Sequence, residues 1–466
     1  MAGRESPADR IGTRDGRCPA RRGRAGGVTA GDPRAAIDAA PMSRAQVAAV
    51  VITSALSALD GYDVLSVTFA APAISRDWAV GKAMLGVVLS SGLVGMALGS
   101  LLLAPVADAI GRRRMVMLNL LLMMAGMLMS AFSRGVAELS AWRVVTGIGI
   151  GAMVPIITPL AVEFSNARWR TLSLAVMSIG YPIGGTVGGF VAAGLLHLFD
   201  WPAVFLFGAA LALILLGAVT LWLPEPLAFL MERRDDRTLA RVNALLRRFA
   251  LPPVEALPPP PTTPRAVPYR EIFAAGQRGA TLRITLVNLL FIMTVYYVLS
   301  WMPQMIADLG FSPSMATMVS ALASFGGAIA CITIGIVAPR TDLRAVVAML
   351  MIGLGLATPA FGFTSASLPL LILTGLIAGA FLYGGITGLY ALIVDTFEPR
   401  ARATGVGFVM GIGRAAGALA PLASGALFGI GIDRGGVSAA LGSMALLAGL
   451  IVALSARRSQ PCRADA

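Results

Sequence analysis

Two aspartates lie three residues apart within the first long apolar stretch, in the segment Asp60-Gly61-Tyr62-Asp63. A charged side chain at the centre of a bilayer costs about 2.5–3.5 kcal/mol on insertion scales, so acids at that depth face a cavity or a partner. Burial and mutual repulsion favour proton binding by at least one of the two carboxylates. We therefore expect Asp60 and Asp63 to couple proton movement to function. The alternative is a permanent pairing of either acid with an arginine.

Two arginines also lie inside long apolar segments. Arg143 must face the interior and balance the charge of the proton site, or else it reaches the outer membrane interface. Arg414 lies near the middle of its segment, which contains no acid. Because a guanidinium makes forked contacts to a carboxylate, Arg414 is the candidate partner of an anionic substrate. The alternative for Arg414 is a fixed pair with Asp60 or Asp63.

Aromatic side chains cluster in the second half of the chain. We expect them to line a cavity and stack on a planar substrate, although tyrosine and tryptophan also anchor at bilayer interfaces. The candidate substrate-binding residues besides Arg414 are Tyr296, Tyr297, Trp301 and Tyr383.

A loop at 104–114 contains Asp108, the turn residue Gly111 and an arginine run that includes Arg112 and Arg113. An acid and arginines at a helix junction can form a charge latch that closes in one conformation and opens in another. The equivalent loop of the second half has Pro339 where the acid is expected, so a second latch is not predicted.

An acid followed by two arginines occurs twice with the same offsets. Two loops contain this pattern, which we assign to gating: Glu163 with Arg168 and Arg170, and Asp395 with Arg400 and Arg402. A repeat in the same orientation, six spans apart, indicates parallel halves with a site at their interface.

Glycines recur at intervals of four residues, a spacing that allows close contact between membrane helices. The series are Gly180, Gly184 and Gly188; Gly185 and Gly189; and Gly407 and Gly411.

The elements that must position these residues are membrane helices. Hydrophobic residues make up 57% of the chain and charged residues only 13%, whereas a soluble domain carries about 25% charged residues. Twelve apolar blocks approach the roughly 20 residues that span a bilayer. We predict an all-α polytopic membrane protein with twelve transmembrane helices in two pseudo-symmetric six-helix bundles. The predicted parts are a disordered N-terminal tail (1–45), a first bundle (46–223), a central loop (224–281), a second bundle (282–456) and a short tail (457–466).

Arginines are concentrated in alternate loops, which predicts that both termini and the central loop are cytoplasmic. Within the central loop, 227–249 reads as a basic amphipathic helix on the membrane surface. The net charge of +13 is therefore an orientation signal and not a nucleic-acid face. The chain contains no phosphate-binding loop, no metal-ligand cluster and no catalytic triad. We expect no enzyme activity, no metal and no cofactor beyond a proton gradient.

Together, these features resemble the major facilitator superfamily over residues 42–456. The segment Asp60-Gly-Tyr-Asp63, with Leu223-Pro224-Glu225 and the stretch from Ala403 to Arg414, is similar to the aromatic acid:proton symporters. The resemblance implies uptake of anions such as 4-hydroxybenzoate, protocatechuate, benzoate or vanillate with protons, across the inner membrane of a bacterium. It also implies that Asp60 and Asp63 act in transport and that Asp108 belongs to a loop gate.

The expected function is proton-coupled import of a small aromatic carboxylate by alternating access, carried out by a monomer in the lipid bilayer. Two alternatives use the same acids. One is symport of non-aromatic organic acids or sugars, and the other is proton antiport that exports drugs or metabolites. A sensor without flux is a third alternative, but the chain shows no signalling domain.

Overall fold

A computed structural model describes residues 32–103, 106–233, 237–257, 269–274, 276–337, 340–398 and 401–456. This part of the chain forms seventeen helices. Their bounds are α1 Pro33–Ala39, α2 Arg44–Asp77, α3 Lys82–Leu102, α4 Val106–Ile110, α5 Arg112–Ala131, α6 Val136–Phe164, α7 Arg170–Leu198, α8 Pro202–Trp222, α9 Leu227–Arg233, α10 Thr238–Arg248, α11 Tyr269–Ile272, α12 Arg278–Ala307, α13 Pro313–Val337, α14 Leu343–Phe363, α15 Leu368–Thr396, α16 Arg402–Gly429 and α17 Arg434–Ala456.

Twelve helices of the described chain are long and apolar enough to cross a membrane: α2, α3, α5 to α8 and α12 to α17. The predicted all-helical fold of twelve spans is confirmed, with six spans in an N half (α2–α8) and six in a C half (α12–α17). Because the number of spans is even, α2 begins and α17 ends on one face, here called the terminal face. The opposite face is called the distal face.

Glycines set the spacing between α7 and its neighbours. A Cβ atom added to Gly180 or Gly184 would collide with the backbone of α2, and one added to Gly61 would collide with the backbone of α7. Gly185 and Gly189 instead face side chains of α13, which belongs to the C half, as well as Leu65 and Phe69 of α2. One stripe of α7 therefore packs within its own half and the adjacent stripe packs against the other half, as the small-residue spacing predicts.

The segment before the first span is more ordered than the sequence suggests. Residues 1–45 are predicted as a disordered tail; residues 1–31 lie outside the described chain, but α1 is a docked helix. Ile37 of α1 is 1% exposed and packs into the apolar core of the N half. The composition of the segment does not predict this helix, because α1 contributes only one large apolar residue to a core that other segments build.

Polar contacts hold α1 against the junction of α6 and α7. The guanidinium of Arg34 donates to the carbonyl oxygen of Glu163 at 2.7 Å, at the end of α6. The carbonyls of a helix C-terminus lack partners within the helix and attract a cation. Asp38 binds Arg170 at the start of α7, at 2.5 Å, and Asn166 donates to the α1 segment. The segment thus clamps the loop that follows α6.

The first part of the central loop also packs on protein. The predicted surface helix, 227–249, forms α9 and α10. Phe249, just beyond α10, is 2% exposed, and its ring meets that of Phe164 edge-on with 6.2 Å between centroids. Arg248 donates to the carbonyl of Trp222 at the end of α8, at 2.9 Å. The prediction that the apolar face of this helix lies on the membrane surface is therefore wrong. The amphipathic pattern predicts a helix, but it does not tell whether the apolar face packs on lipid or on protein.

Shortening Ile37 tests whether α1 is part of the folded N half. Replacing a buried isoleucine by alanine typically costs about 2–5 kcal/mol of unfolding free energy. We expect Ile37→Ala to lower the thermal unfolding midpoint of the detergent-solubilised protein. Val51→Ala is the matched control, because Val51 is 60% exposed on α2. Equal midpoints for the two variants would show that the docking of α1 contributes no stability.

Candidate functional site

Both aspartates lie near the middle of the 34-residue helix α2 and are fully buried. All four carboxylate oxygens lack a hydrogen-bond partner within the described chain. Such groups are costly in an apolar interior unless a charge or a proton compensates them. The two acids face different compensating arginines.

Asp63 faces the interior of the N half, where Arg143 of α6 is 1% exposed. The Arg143 guanidinium donates to the backbone carbonyl of Asp63 at 2.8 Å and to the Ser66 hydroxyl at 3.4 Å. It also lies 5.8 Å from the centroid of the Phe205 ring. Arg143 is therefore an interior cation and does not reach the membrane interface. It interacts electrostatically with the Asp63 carboxylate, whose oxygens accept no hydrogen bond from it.

Asp60 faces the interface between the halves. The positive charge that interacts with it electrostatically is Arg414 of α16, in the C half. The guanidinium of Arg414 donates to the carbonyl oxygen of Gly151 in α6, at 3.3 Å. Asp60 accepts no hydrogen bond from Arg414. The two residues are therefore neighbours across the interface without forming a hydrogen-bonded pair.

Four tyrosines form a group near this pair. Tyr181 of α7 interacts electrostatically with Asp60 and with the other three, which are Tyr296 of α12 and Tyr383 and Tyr390 of α15. The rings of Tyr181 and Tyr383 lie 6.4 Å apart between centroids, one in each half. Tyr181 was not singled out from the sequence. The sequence did contain a signal for Tyr181: it lies between a glycine and a proline, in a span whose glycine spacing already predicted a close contact between helices.

Two predicted substrate residues point elsewhere. Tyr297 is fully buried, and its hydroxyl lies 2.7 Å from that of Ser438 in α17. Trp301 packs on Phe428 of α16 with 4.8 Å between ring centroids, close to the distal face. Consecutive residues of a helix point about 100° apart, and Tyr297 is directed toward α17. The structure brings Tyr296 and Tyr383 into one group with Tyr181, whereas Tyr297 is directed toward α17 and Trp301 lies near the distal face.

A small apolar cavity adjoins the tyrosines on their distal side. It separates α2 of the N half from α12, α13 and α15 of the C half. Its lining comprises Leu65, Phe69, Val298, Leu299, Met302, Ser320, Ala323, Ser324, Gly379, Leu382 and Tyr383. Three hydroxyls in this lining, on Ser320, Ser324 and Tyr383, interrupt an otherwise hydrocarbon wall. The cavity measures about 20 Å³, which is room for about one water molecule, so in this conformation it is a narrow gap between the halves.

Polar contacts close the interface on the distal side. The Lys82 ammonium of α3 pairs with Asp308, beyond α12, at 2.8 Å, and lies 5.1 Å from the centroid of the Phe428 ring. The Ser314 hydroxyl of α13 donates to the carbonyl of Ala193 in α7 at 2.7 Å. All these contacts join the two halves, so the distal entrance is shut.

One face of α16 shows that the terminal side is open. Gly407, Gly411, Arg414 and Gly425 recur at helical spacing and share this face. A Cβ atom added at Gly425 would meet the α3 backbone, whereas one added at Gly407 or Gly411 would meet open space. The expected packing role of Gly407 and Gly411 is therefore wrong for this conformation.

The predicted gating loop of the N half forms a compact junction. Glu163 is ion-paired with Arg112 at the start of α5, while Arg113 donates to the carbonyl of Thr220 at the end of α8, at 2.6 Å. Gly111 has φ +112°, which favours glycine, and a Cβ atom there would also strike Glu225. Burial raises the pKa of Glu225 despite nearby arginines.

Most of the other predicted gating residues either are exposed or have side chains outside the described part of the chain. Asp108 lies in α4, but its side chain is outside the described part of the chain, as are Arg400 and Pro339. The guanidinium of Arg168 lies 5.4 Å from the Trp169 ring. In the C half, Asp395 and Arg402 are exposed. The two matching loops therefore have different surroundings, because Glu163 has a partner from another loop and lies beneath α1 and α9.

Comparison with known proteins places this geometry in a family. A profile described as the Major Facilitator Superfamily matches residues 51–341 and 284–465. The chain is 31% identical over 418 residues to a gallate transporter of Pseudomonas putida, covering 89% of this chain and 93% of that protein. It is 32% identical over 428 residues to the 4-hydroxybenzoate transporter PcaK of Pseudomonas aeruginosa, covering 91% and 95%.

A solved structure shares the fold. The xylose transporter XylE from E. coli, in a partially occluded inward open conformation, matches with a TM-score of 0.70 and 15% identity. The match covers 91% of this chain and all of the other, 100%. At this level of identity the likeness concerns the fold alone.

The ion pair of Lys82 and Asp308 should hold the distal entrance shut. We expect Lys82→Glu to place like charges at this contact and populate a state with the distal ends further apart. Spin labels on cysteines at Phe199 and Ser312, which are exposed on opposite halves, report this distance by pulsed electron paramagnetic resonance.

The double variant Lys82→Glu/Asp308→Lys restores opposite charges and should recover the original distance. Arg134→Glu is the matched control, because Arg134 lies exposed in another distal loop. If Lys82→Glu and Arg134→Glu give the parental distance distribution, the ion pair does not contribute to closure.

Proposed function

The chain belongs to the major facilitator superfamily, and we propose that it imports a small aromatic carboxylate together with protons. It is a membrane transporter and not an enzyme. The observation that carries the proposal is the position of Arg414, which donates across the interface to the Gly151 carbonyl and interacts electrostatically with the buried Asp60 and with Tyr296. A guanidinium holds a carboxylate through two parallel hydrogen bonds, and tyrosine rings offer flat apolar faces to an aromatic ring.

The named relatives support this substrate class. Gallate and 4-hydroxybenzoate, the substrates in the names of the two relatives, are benzoates with hydroxyl groups on the ring. Each combines an anion that suits Arg414 with a flat ring that suits the faces of the nearby tyrosine rings. Sugar transport has weaker support, because the likeness to a xylose transporter is a likeness of fold.

Proton coupling follows from the relation of Asp60 to Arg414. When Asp60 is ionised, its carboxylate attracts Arg414 and competes with an incoming anion. When Asp60 is protonated, Arg414 becomes the uncompensated charge at the interface and attracts the substrate. Asp63 and Arg143 form a second acid and base pair within the N half, next to the first along α2. Protonation of one acid therefore changes the proton affinity of the other.

The membrane potential makes such coupling useful. Moving one anion inward against 100 mV costs about 2.3 kcal/mol, a cost that one accompanying proton cancels. A second proton adds a net driving force, and α2 contains two acids at the required depth. Alternating access would then exchange the present conformation for one open on the distal side.

We assign the terminal face to the cytoplasm of a bacterium and the bundle to its inner membrane. Loops on this face contain most of the loop arginines, including Arg112, Arg113, Arg168 and Arg344, and positive loops favour the cytoplasmic side. In this orientation both termini are cytoplasmic and the structure is open inward. One chain holds both halves of the site, so a monomer suffices.

Neutralising the acids tests proton coupling. We expect Asp60→Asn and Asp63→Asn to abolish the protonophore-sensitive part of labelled 4-hydroxybenzoate uptake, because asparagine cannot exchange a proton. Asp200→Asn is the control, since Asp200 is exposed between α7 and α8. Uptake by both variants at the rate of the parent would refute the proton role.

Changing Arg414 tests the anion site. Arg414→Lys keeps the charge but loses the forked geometry, and hydrogen bonds to charged groups contribute about 1.5–3 kcal/mol. We expect the KM for 4-hydroxybenzoate to rise at least about tenfold in this variant, and uptake to be lost in Arg414→Gln.

Two further measurements separate the alternative functions. In competition assays, inhibition by non-aromatic acids or sugars that is as strong as inhibition by benzoates would contradict a preference for aromatic substrates. Accumulation of 4-hydroxybenzoate that rises when the protein is removed would contradict import.

A further inference from the structure

A buried asparagine of α12 reaches the backbone of α16 next to Arg414. The side-chain amide of Asn288 donates to the carbonyl oxygen of Val409 at 2.8 Å, and Asn288 is 1% exposed. In an α-helix, the carbonyl of residue 409 also accepts the backbone amide of residue 413, so Asn288 joins α16 at the turn that ends at Gly413. Arg414 is the next residue. The contact therefore adjoins the backbone from which the side chain of Arg414 projects.

Two glycines of α16 allow α12 to come this close. A Cβ atom added to Gly413 would collide with the amide group of Asn288. One turn further along α16, a Cβ atom added to Gly417 would collide with the ring of Tyr296, which also belongs to α12. Residues four apart share a helix face, so one face of α16 receives side chains of α12 both before and after Arg414.

These contacts fix the rotation of α16 about its own axis. Arg414 points about 100° away from Gly413 around the helix, and its guanidinium donates to the Gly151 carbonyl in the N half. Because the guanidinium stands at the end of a long side chain, a small rotation of α16 displaces it. A forked contact with a carboxylate requires a fixed geometry of the guanidinium, so the rotation of α16 controls how well Arg414 can bind an anion.

The amide of Asn288 is not required by the fold. The Val409 carbonyl lies inside the continuous helix α16, where the backbone already supplies a donor. The side-chain oxygen of Asn288 is itself buried and has no hydrogen-bond partner within the described chain. An unpaired buried acceptor is destabilising, and an apolar side chain of similar size would avoid this cost. Groups that are costly to the fold in this way are expected at functional sites.

We propose that Asn288 is a positioning residue, which holds the turn of α16 at Gly413 so that Arg414 presents its guanidinium to the carboxylate of the substrate. Asn288 acts through α16 and does not touch the substrate, because its side chain is buried between the two helices. This inference rests on the proposed function of Arg414 as the anion site.

Uptake of labelled 4-hydroxybenzoate by Asn288→Leu tests the proposal, in the parent protein and in the Arg414→Lys variant. Leucine has a similar size but no amide. In the parent, KM should rise by roughly tenfold, within the range of coupling between contacting residues, and kcat should change little. In Arg414→Lys the forked geometry is already lost, so Asn288→Leu should raise KM little further. The same factor in both backgrounds would mean a merely structural asparagine and would overturn the proposal.

A second set of variants breaks the same contact from the other helix. Gly413→Ala should displace the Asn288 amide and raise KM as Asn288→Leu does. Asn288→Ala removes the atoms with which the new methyl group would collide, so adding Gly413→Ala to Asn288→Ala should raise KM no further. A further rise by the factor that Gly413→Ala causes in the parent would show that the two residues act separately, against the proposal.

Thr294→Val is the matched control. Thr294 is a buried residue of α12 whose hydroxyl donates to the carbonyl of Leu441 in α17 at 2.5 Å. Its loss removes a similar contact away from Arg414 and should leave KM unchanged. A loss of folded protein lowers the maximum rate but not KM. If Asn288→Leu and Thr294→Val raise KM equally, the effect reflects the packing of α12 and the proposal fails.

The Arg414→Lys variant separates this inference from the proposed function. If Arg414→Lys raises KM but Asn288→Leu does not, the anion site stands and the role of Asn288 is overturned. If Arg414→Lys keeps the parental KM, the proposed anion site itself fails, and the inference fails with it.

Discussion

Two carboxylates in the middle of a membrane helix are the constraint on which the rest of the structure depends. Asp60 and Asp63 are fully buried, and no group in the described chain donates a hydrogen bond to either side chain. Each ionised acid costs several kcal/mol at that depth unless a charge or proton compensates it. The N half supplies Arg143 for Asp63, but the compensating charge for Asp60, Arg414, belongs to the C half. The charge balance of the N half therefore depends on the position of the C half and on whether Asp60 is protonated.

Packing turns this electrostatic relation into one that depends on conformation. Glycines bring α7 against α2 beside the acids and against α13 of the C half. On the distal side, Lys82 and Asp308 join the halves, whereas Gly407 and Gly411 on the terminal part of α16 face open space. Arg414 lies between these two regions on the same helix. A rocking motion that closes the terminal side would therefore change the surroundings of Arg414 and Asp60 together.

Hydropathy was sufficient to predict the twelve spans, because a membrane helix needs a long apolar segment and little else. The acids and Arg414 were identifiable because charge is rare at that depth. Tyr181 was missed, since an aromatic residue in a span is usually packing and only the fold brings it near Asp60. The docking of α1 was missed because this helix has only one large apolar residue, Ile37, and the docking of α10 was missed because an amphipathic helix has the same pattern against lipid as against protein. The pair of Lys82 and Asp308 joins residues far apart in sequence, so only the arrangement of the halves reveals it.

The central claim is that substrate and protons move together through the interface that contains Asp60 and Arg414. Proteoliposomes with a pH-sensitive dye in the lumen and a potential clamped by valinomycin test it most directly. Addition of external 4-hydroxybenzoate should acidify the lumen at the rate at which labelled substrate enters, beyond the change in protein-free vesicles. Entry of labelled substrate through the protein with no accompanying acidification would contradict proton coupling.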